Sequence, residues 1–328
     1  MSSEVTKPSI LWAVDPFQSD FKPDHTAVAT LLSWATQLGY AIKPVYVVSK
    51  PGESLEVMTD EEKSDLMNRV IQKIQRYLSG LGVSGVKKTR VLLSDSRRIK
   101  LLGKELADYA KKIHSPLIVV SSHGHTGLNR AFFGSFAEST LRYSEAPVFF
   151  LSHCQLPELP TDEMSSRILF PTDFSPEAHR AFRKLLKLEK PGQTRISLFY
   201  ANVWPTMATG IEVPIVLTPD FLEQQEVQAR AVADKWAAEA KSLGFSVDIV
   251  CSDPVSPYDI APAILKASKE ARAGLICLSC TSGQLSALLN GSVSRDVFRK
   301  SECPVLVFGP AALEVSEEIK APNEMATV

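Results

Sequence analysis

The residues of this chain best suited to chemistry lie in one stretch, residues 121–135, read as Ser-Ser-His-Gly-His-Thr-Gly-Leu-Asn-Arg-Ala-Phe-Phe-Gly-Ser. An apolar, β-branched run at residues 117–120 precedes it, bounded by Pro116, and reads as a buried strand. Residues 136–142 follow as a helix, and Ser135 with Glu138 three positions later has the form of a capping box at its start. A strand, a glycine-bearing loop and a helix N-terminus together make a place for an anion. Unpaired backbone N–H groups converge there, the helix dipole favours negative charge, and glycines let the backbone approach a ligand. The chemistry this predicts is binding of a nucleotide phosphate, with Ser121, Gly124, Gly134 and Ser135 as the candidate residues. Ser121 either donates to a phosphate or crowds it. His123, His125 and Arg130 either add positive charge or form a solvated loop.

Other reactive residues support less. Cys277 and Cys280 form a Cys-x-x-Cys, but Cys277 falls in an apolar run read as a strand, where residues three apart point to opposite faces. No second cysteine pair or nearby histidine completes a zinc set. There is no Gly-Lys-Ser/Thr for a Walker-type loop and no Gly-x-Ser-x-Gly nucleophile turn, so no residue is assigned a catalytic role. Trp12, Trp34, Trp204 and Trp236 read as core or interface aromatics.

The elements that position the loop form a repeating order. Apolar runs at residues 9–14, 45–48, 91–93, 117–120 and 148–151 read as strands, with helical patterns at about 24–38, 61–78 and 99–113 between them. Strands alternating with helices predict a parallel sheet covered on both faces. The order then recurs: strands at 168–173, 198–203, 247–250 and 275–278, helices at 222–243 and 260–271. Gly291-Ser292 follows Gly134-Ser135 by 157 positions, Pro304 follows Pro147 by the same 157, and Asp173 follows Asp15 by 158. Agreement across separate elements indicates a tandem duplication. The expected layout is a first domain over 1–152, a proline-bearing linker over 153–166, a second domain over 167–310 and a loose tail over 311–328.

Composition excludes several classes. At 45% apolar and 22% charged residues the chain is globular in balance, and a formal charge of −1 offers no field for nucleic acid or an anionic membrane. No apolar run approaches the ~20 residues of a membrane span, and the first residues lack a secretory core, so a cytoplasmic protein is expected. Five cysteines, thinly spread, do not describe a disulfide framework.

Together these residues resemble the universal stress protein family, duplicated in one chain. Ile168-Leu169-Phe170-Pro171-Thr172-Asp173-Phe174-Ser175-Pro176-Glu177-Ala178 is similar to the family's opening strand and turn. The loop of its nucleotide-binding members runs Gly-x-x-Gly, nine residues, then Gly-Ser or Gly-Thr. Gly124, residues 125–133 and Gly134-Ser135 match it, with Ser121 in place of the leading glycine. The resemblance implies two tandem Rossmann-like (HUP-type) α/β domains with five-stranded, mostly parallel open sheets flanked by helices, the fifth strands often pairing the domains. It also implies ATP, with or without Mg, as the ligand. Adenine and ribose would sit near Asp15 and Val47 in the first repeat, and near Asp173 and Val203 in the second. In the second repeat the loop runs Cys280-Thr281-Ser282-Gly283 and then seven residues to Gly291-Ser292; another gap placement sets Thr281 at the Gly124 position. The expectation is therefore a stress-response or regulatory ATP-binding protein whose first repeat holds the phosphates. It would be an internal pseudo-dimer, alone or as a homodimer, acting on an unidentified protein partner with hydrolysis slow or absent. The alternative is a nucleotide-free interaction scaffold of the same fold. An adenylyl-transfer enzyme is a third class, for which no second-substrate signature is present.

Overall fold

The computed structural model describes residues 8–17, 25–49, 58–96, 98–121, 135–151, 166–203, 219–280 and 292–314. The first repeat runs β1 (Ser9–Ala13), α1 (His25–Leu38), β2 (Ala41–Ser49), α2 (Asp60–Gly80), β3 (Arg90–Ser94), α3 (Ile99–Lys112), β4 (Ile118–Ser121), α4 (Ser135–Tyr143) and β5 (Val148–Leu151). The second runs β6 (Arg167–Pro171), α5 (Pro176–Leu188), β7 (Arg195–Tyr200), α6 (Pro219–Ser242), β8 (Ser246–Cys251), α7 (Ile260–Glu270), β9 (Leu275–Ser279), α8 (Ser292–Lys300) and β10 (Val305–Phe308). A last short helix, α9 (Pro310–Glu314), follows. It buries Ala312 and Leu313, so packed chain continues to Glu314, into the stretch read from the sequence as a loose tail.

The two five-stranded halves do not remain separate sheets. They join into one ten-stranded sheet in the order β3-β2-β1-β4-β5-β10-β9-β6-β7-β8. Every pairing is parallel except the central one, where β5 and β10 run antiparallel with Phe150 opposite Val305 and Val148 opposite Val307. This seam is where the resemblance places pairing between domains. Both of its strands are buried along their whole length, which is why Val-Phe-Phe-Leu and Val-Leu-Val-Phe read as unbroken apolar runs.

Side-chain alternation divides the interior into two layers. One layer carries Trp12, Phe149, Phe170, Cys277 and Phe308 beneath α1, α2, α5 and α6. The other carries Leu11, Val47, Phe150, Val307 and Cys280 against α3, α4, α7 and α8. Each layer runs through both repeats. Burying one such phenylalanine contributes about 1.5–3 kcal/mol, so Phe149 and Phe150 hold the seam from opposite faces.

Local signals explain several boundaries. Thr59 caps α2: its hydroxyl accepts from the Glu62 N–H at 3.2 Å, and the Glu62 carboxylate accepts from the Thr59 N–H at 2.8 Å. Ser175 caps α5, with Pro176 in the first turn where no backbone donor is needed. Gly103 lets α3 lie directly on α4; a Cβ there would stand 2.5 Å from the Phe136 carbonyl oxygen. The duplication also repeats small details. Ser144 and Ser301 each fold back onto the carbonyl two residues on, both at 2.6 Å. Lys111 pairs with Glu145 as Lys269 pairs with Glu302.

Candidate functional site

Within each half the strand order reverses at one point, between β1 and β4 in the first repeat and between β6 and β9 in the second. Open α/β sheets bind ligands in the crevice outside the carboxyl ends of the strands at this switch point. The sequence candidates can be placed against that frame.

Asp15 stands two residues past β1, half-buried, with its Oδ1 accepting from the Phe17 N–H at 3.0 Å. Its carboxylate lies close to two phenols. Tyr46 and Tyr77 are each pushed up to about 12, by burial first and by the negative charge of Asp15 second. The Phe17 ring lies 5.4 Å from Tyr46, and the Lys73 ammonium sits 4.0 Å from its centroid. Ser121 is the last residue of β4, and since Val120 is opposite Ala13, Ser121 comes level with Val14, one residue from Asp15. Asp15 and Ser121 therefore stand at the ends of neighbouring strands at the switch point. Val47 is buried on β2 in the layer facing α3 and α4. Gly124, Gly134, His123, His125 and Arg130 lie outside the described residues.

Ser135 is half-buried and is itself the first residue of α4. The chain entering α4 lies outside the described residues, and the capping box expected from Ser135 and Glu138 with it. One Glu138 carboxylate oxygen lies 3.4 Å from the Arg142 guanidinium, a turn further on.

The second repeat reproduces the β1 end. Asp173 accepts from the Ser175 N–H at 2.9 Å, and Phe174, at a φ of 57°, packs its ring 5.4 Å from Tyr200. Asp173 itself is exposed. Strand register corrects one correspondence. Ala13 pairs with Val45 and Pro171 with Phe199, so Tyr46 matches Tyr200 and Val47 matches Ala201. Val203 lies beyond β7, in a single bridge to Val255, two positions past the counterpart of Val47. Likewise Leu11 pairs with Ile118 and Leu169 with Ile276, making Ser279 the counterpart of Ser121. With α8 starting at Ser292 as α4 starts at Ser135, the second loop is one residue shorter than the first. The Gly124 position then falls on Ser282 counted from the strand, or on Thr281 counted from the helix, and neither is glycine. Gly291 lies outside the described residues, and Ser292 opens α8.

One residue was not found from the sequence. Asn202, just past β7, is 3% exposed; its N–H donates to Ser252 Oγ at 3.0 Å and its carbonyl accepts from the Val255 N–H at 2.8 Å. Among the described residues its side-chain Oδ1 is buried without a hydrogen-bond partner, an acceptor left open at the end of β7. The only signal in the sequence is a polar residue closing an apolar run.

No group of three or more His, Cys, Asp or Glu side chains among the described residues is arranged to hold a metal ion. Cys277 and Cys280 belong to opposite layers, as strand geometry requires, and burial pushes both thiols up, Cys280 to about 12. That burial disfavours the thiolate, the form in which a cysteine acts as nucleophile or ligand. A groove of about 410 Å³ lined by Met67, Arg90, Glu105 and Tyr109 follows the outer strand β3, away from the switch point.

The fold and crevices define a duplicated, Rossmann-like α/β protein. The model of the Universal stress protein family matches residues 9–151 and again 164–309, and the chain belongs to that family. Among solved structures it is similar to a universal stress protein from Archaeoglobus fulgidus DSM 4304 (20% identity, 92% of this chain and 96% of that one, TM-score 0.54). It is also similar to a functionally unknown protein from Pseudomonas aeruginosa PAO1 (16% identity, 94% of each chain, TM-score 0.53). A third likeness is a putative universal stress protein from Pseudomonas aeruginosa UCBPP-PA14 (14% identity, 94% of this chain and 95% of that one, TM-score 0.51). At these identities the likeness concerns the fold. No curated protein gives a significant match. No described helix is long and apolar enough to cross a membrane.

Proposed function

We propose that this protein is a stress-response regulator that binds an adenine nucleotide, ATP, in the crevice of its first repeat. The observation that carries the reading is the adjacency of Asp15 and Ser121 at the carboxyl ends of neighbouring strands, on the route into the first turn of α4. The donor set suits the ligand. An aspartate carboxylate accepts from a ribose hydroxyl or the adenine amine, and Ser121 with the backbone N–H groups opening α4 offers donors to phosphate oxygens. Gly124 and Gly134 belong to the same site by the loop pattern. Mg enters as the counter-ion of the nucleotide phosphates. The second repeat is the weaker site: its loop is shorter and lacks the Gly124 equivalent, although Asp173 and the open Asn202 acceptor remain at its strand ends. ATP acts here as a ligand that selects a conformation or partner, without turnover, in a cytoplasmic protein.

Thermal melting with and without millimolar Mg-ATP tests the reading, because a ligand that binds only the folded state raises apparent stability by about 2.7 kcal/mol at a hundredfold excess over Kd. A rise in Tm is expected. No shift, together with no nucleotide released from the purified protein in mass spectrometry, would overturn it in favour of a nucleotide-free scaffold.

A further inference from the structure

We propose that Glu189 is a proton-operated latch between the two repeats, holding α1 of the first to the end of α5 of the second most firmly when neutral and opening more often when ionised. Glu189 follows α5 and is 6% exposed. Its Oε1 accepts from Trp34 Nε1 of α1 at 2.8 Å, across 155 residues of sequence, and its Oε2 lies 3.1 Å from the Thr194 hydroxyl. Trp34 is itself 2% exposed and stacks at 5.3 Å on Phe149 of β5, a strand of the seam. The contact therefore joins α1, whose Trp34 lies on β5 of the seam, to the end of α5, which packs against β9.

The groups around the carboxyl decide its behaviour. Trp34 and Thr194 are neutral. The titratable groups that feel its charge are Tyr40, between α1 and β2, and Cys277 of β9; both are raised, by burial first and by Glu189 second. Neither is a cation. On adjoining β7, Arg195 pairs with Asp248 at 2.6 Å, and Lys187 of α5 and Lys190 are exposed. Burial is the largest influence on Glu189 and drives its carboxyl up to about 7, with the hydrogen bonds from Trp34 and Thr194 pulling it down. Both protonation states keep their hydrogen bonds. The neutral acid donates its proton to Thr194 Oγ1 while Oε1 still accepts from Trp34, and the carboxylate accepts from both. What changes is desolvation: among the described residues the ion is held in an apolar layer by two neutral donors, and water solvates it better once the seam loosens.

The test is hydrogen–deuterium exchange at α1 and the end of α5, corrected for intrinsic rates, between about pH 5.5 and about pH 8.5. Taking the ordinary carboxyl value for the open state, opening rises roughly 30-fold over that range. Glu189→Gln keeps the shape and an amide that donates to Thr194, and its opening stays flat with pH. Equal pH dependence in the wild type and Glu189→Gln would overturn the proposal. Carboxyl-carbon NMR of the wild-type chain is a second measurement that needs no variant. A Glu189 resonance titrating near neutrality supports the latch, and one titrating in the ordinary carboxylate range overturns it.

Discussion

A Cβ on Gly309 would lie 2.1 Å from the carbonyl oxygen of Leu141, so the chain leaving β10 of the second repeat lies directly on α4 of the first. No other residue type fits there without moving backbone. Gly309→Ala is expected to destabilise the protein by about 1–3 kcal/mol through overpacking, read as a lowered urea midpoint at unchanged slope. Because the contact joins the repeats, the loss should appear as one cooperative transition of both halves.

For the nucleotide site, Gly134→Leu should abolish the ATP-induced rise in Tm, since a side chain would fill the approach to the phosphates. Gly291→Leu should leave most of the shift intact. Asp15→Ala should weaken ATP binding by about 1.5–3 kcal/mol, the range for a hydrogen bond to a charged group, measured by calorimetric titration. Asp173→Ala should change it little.

Global stability should fall as pH rises through the neutral range. The Glu189 carboxyl is raised in the folded chain from its ordinary 4.5 to about 7, so the native state holds this proton more tightly than the unfolded one. That contribution is complete below about pH 4.5 and is lost as pH rises through about 7. The full difference is on the order of 3 kcal/mol for this nearly buried group. Urea denaturation of wild type and Glu189→Gln at about pH 5.5 and about pH 8 separates it from other titrations: the wild type should lose stability relative to the variant at the higher pH.

Thiol labelling of the native chain should mark Cys251 and leave Cys277, Cys280 and Cys303 unmodified. Cys251 is exposed; the other three are buried, and burial pushes Cys303 up to about 11 and Cys280 to about 12. Peptide mapping after alkylation checks this, with all five cysteines of the chain, Cys154 among them, labelled once the protein is unfolded.

Local pattern made much of the architecture readable. The runs at 148–151 and 275–278 became β5 and most of β9, and the helix expected over 99–113 is α3, because periodicity and glycine or proline breaks act within a few residues. The opposite burial of Cys277 and Cys280 followed from pleat geometry alone. The exact start of α4 is less legible, because capping residues and first-turn residues look alike in sequence. The match of Val47 to Val203 failed for a related reason. Motif spacing counts residues along one strand, whereas equivalence depends on which backbone atoms of β1 and β6 each partner meets.

The sequence by itself determined that this chain is a tandem repeat of strand–helix units with a glycine-bearing loop in one copy and a shortened loop in the other. These are properties of order and spacing, and order and spacing are what a sequence states. Only the tertiary structure decided that the two sheets become one through an antiparallel seam, that Asp15 stands one residue beyond the level of the end of β4, that Asn202 keeps a buried acceptor without a partner among the described residues, and that Glu189 meets Trp34. Each of these rests on pairing and burial between residues far apart in the chain, where the free energy depends on contacts that local composition does not encode.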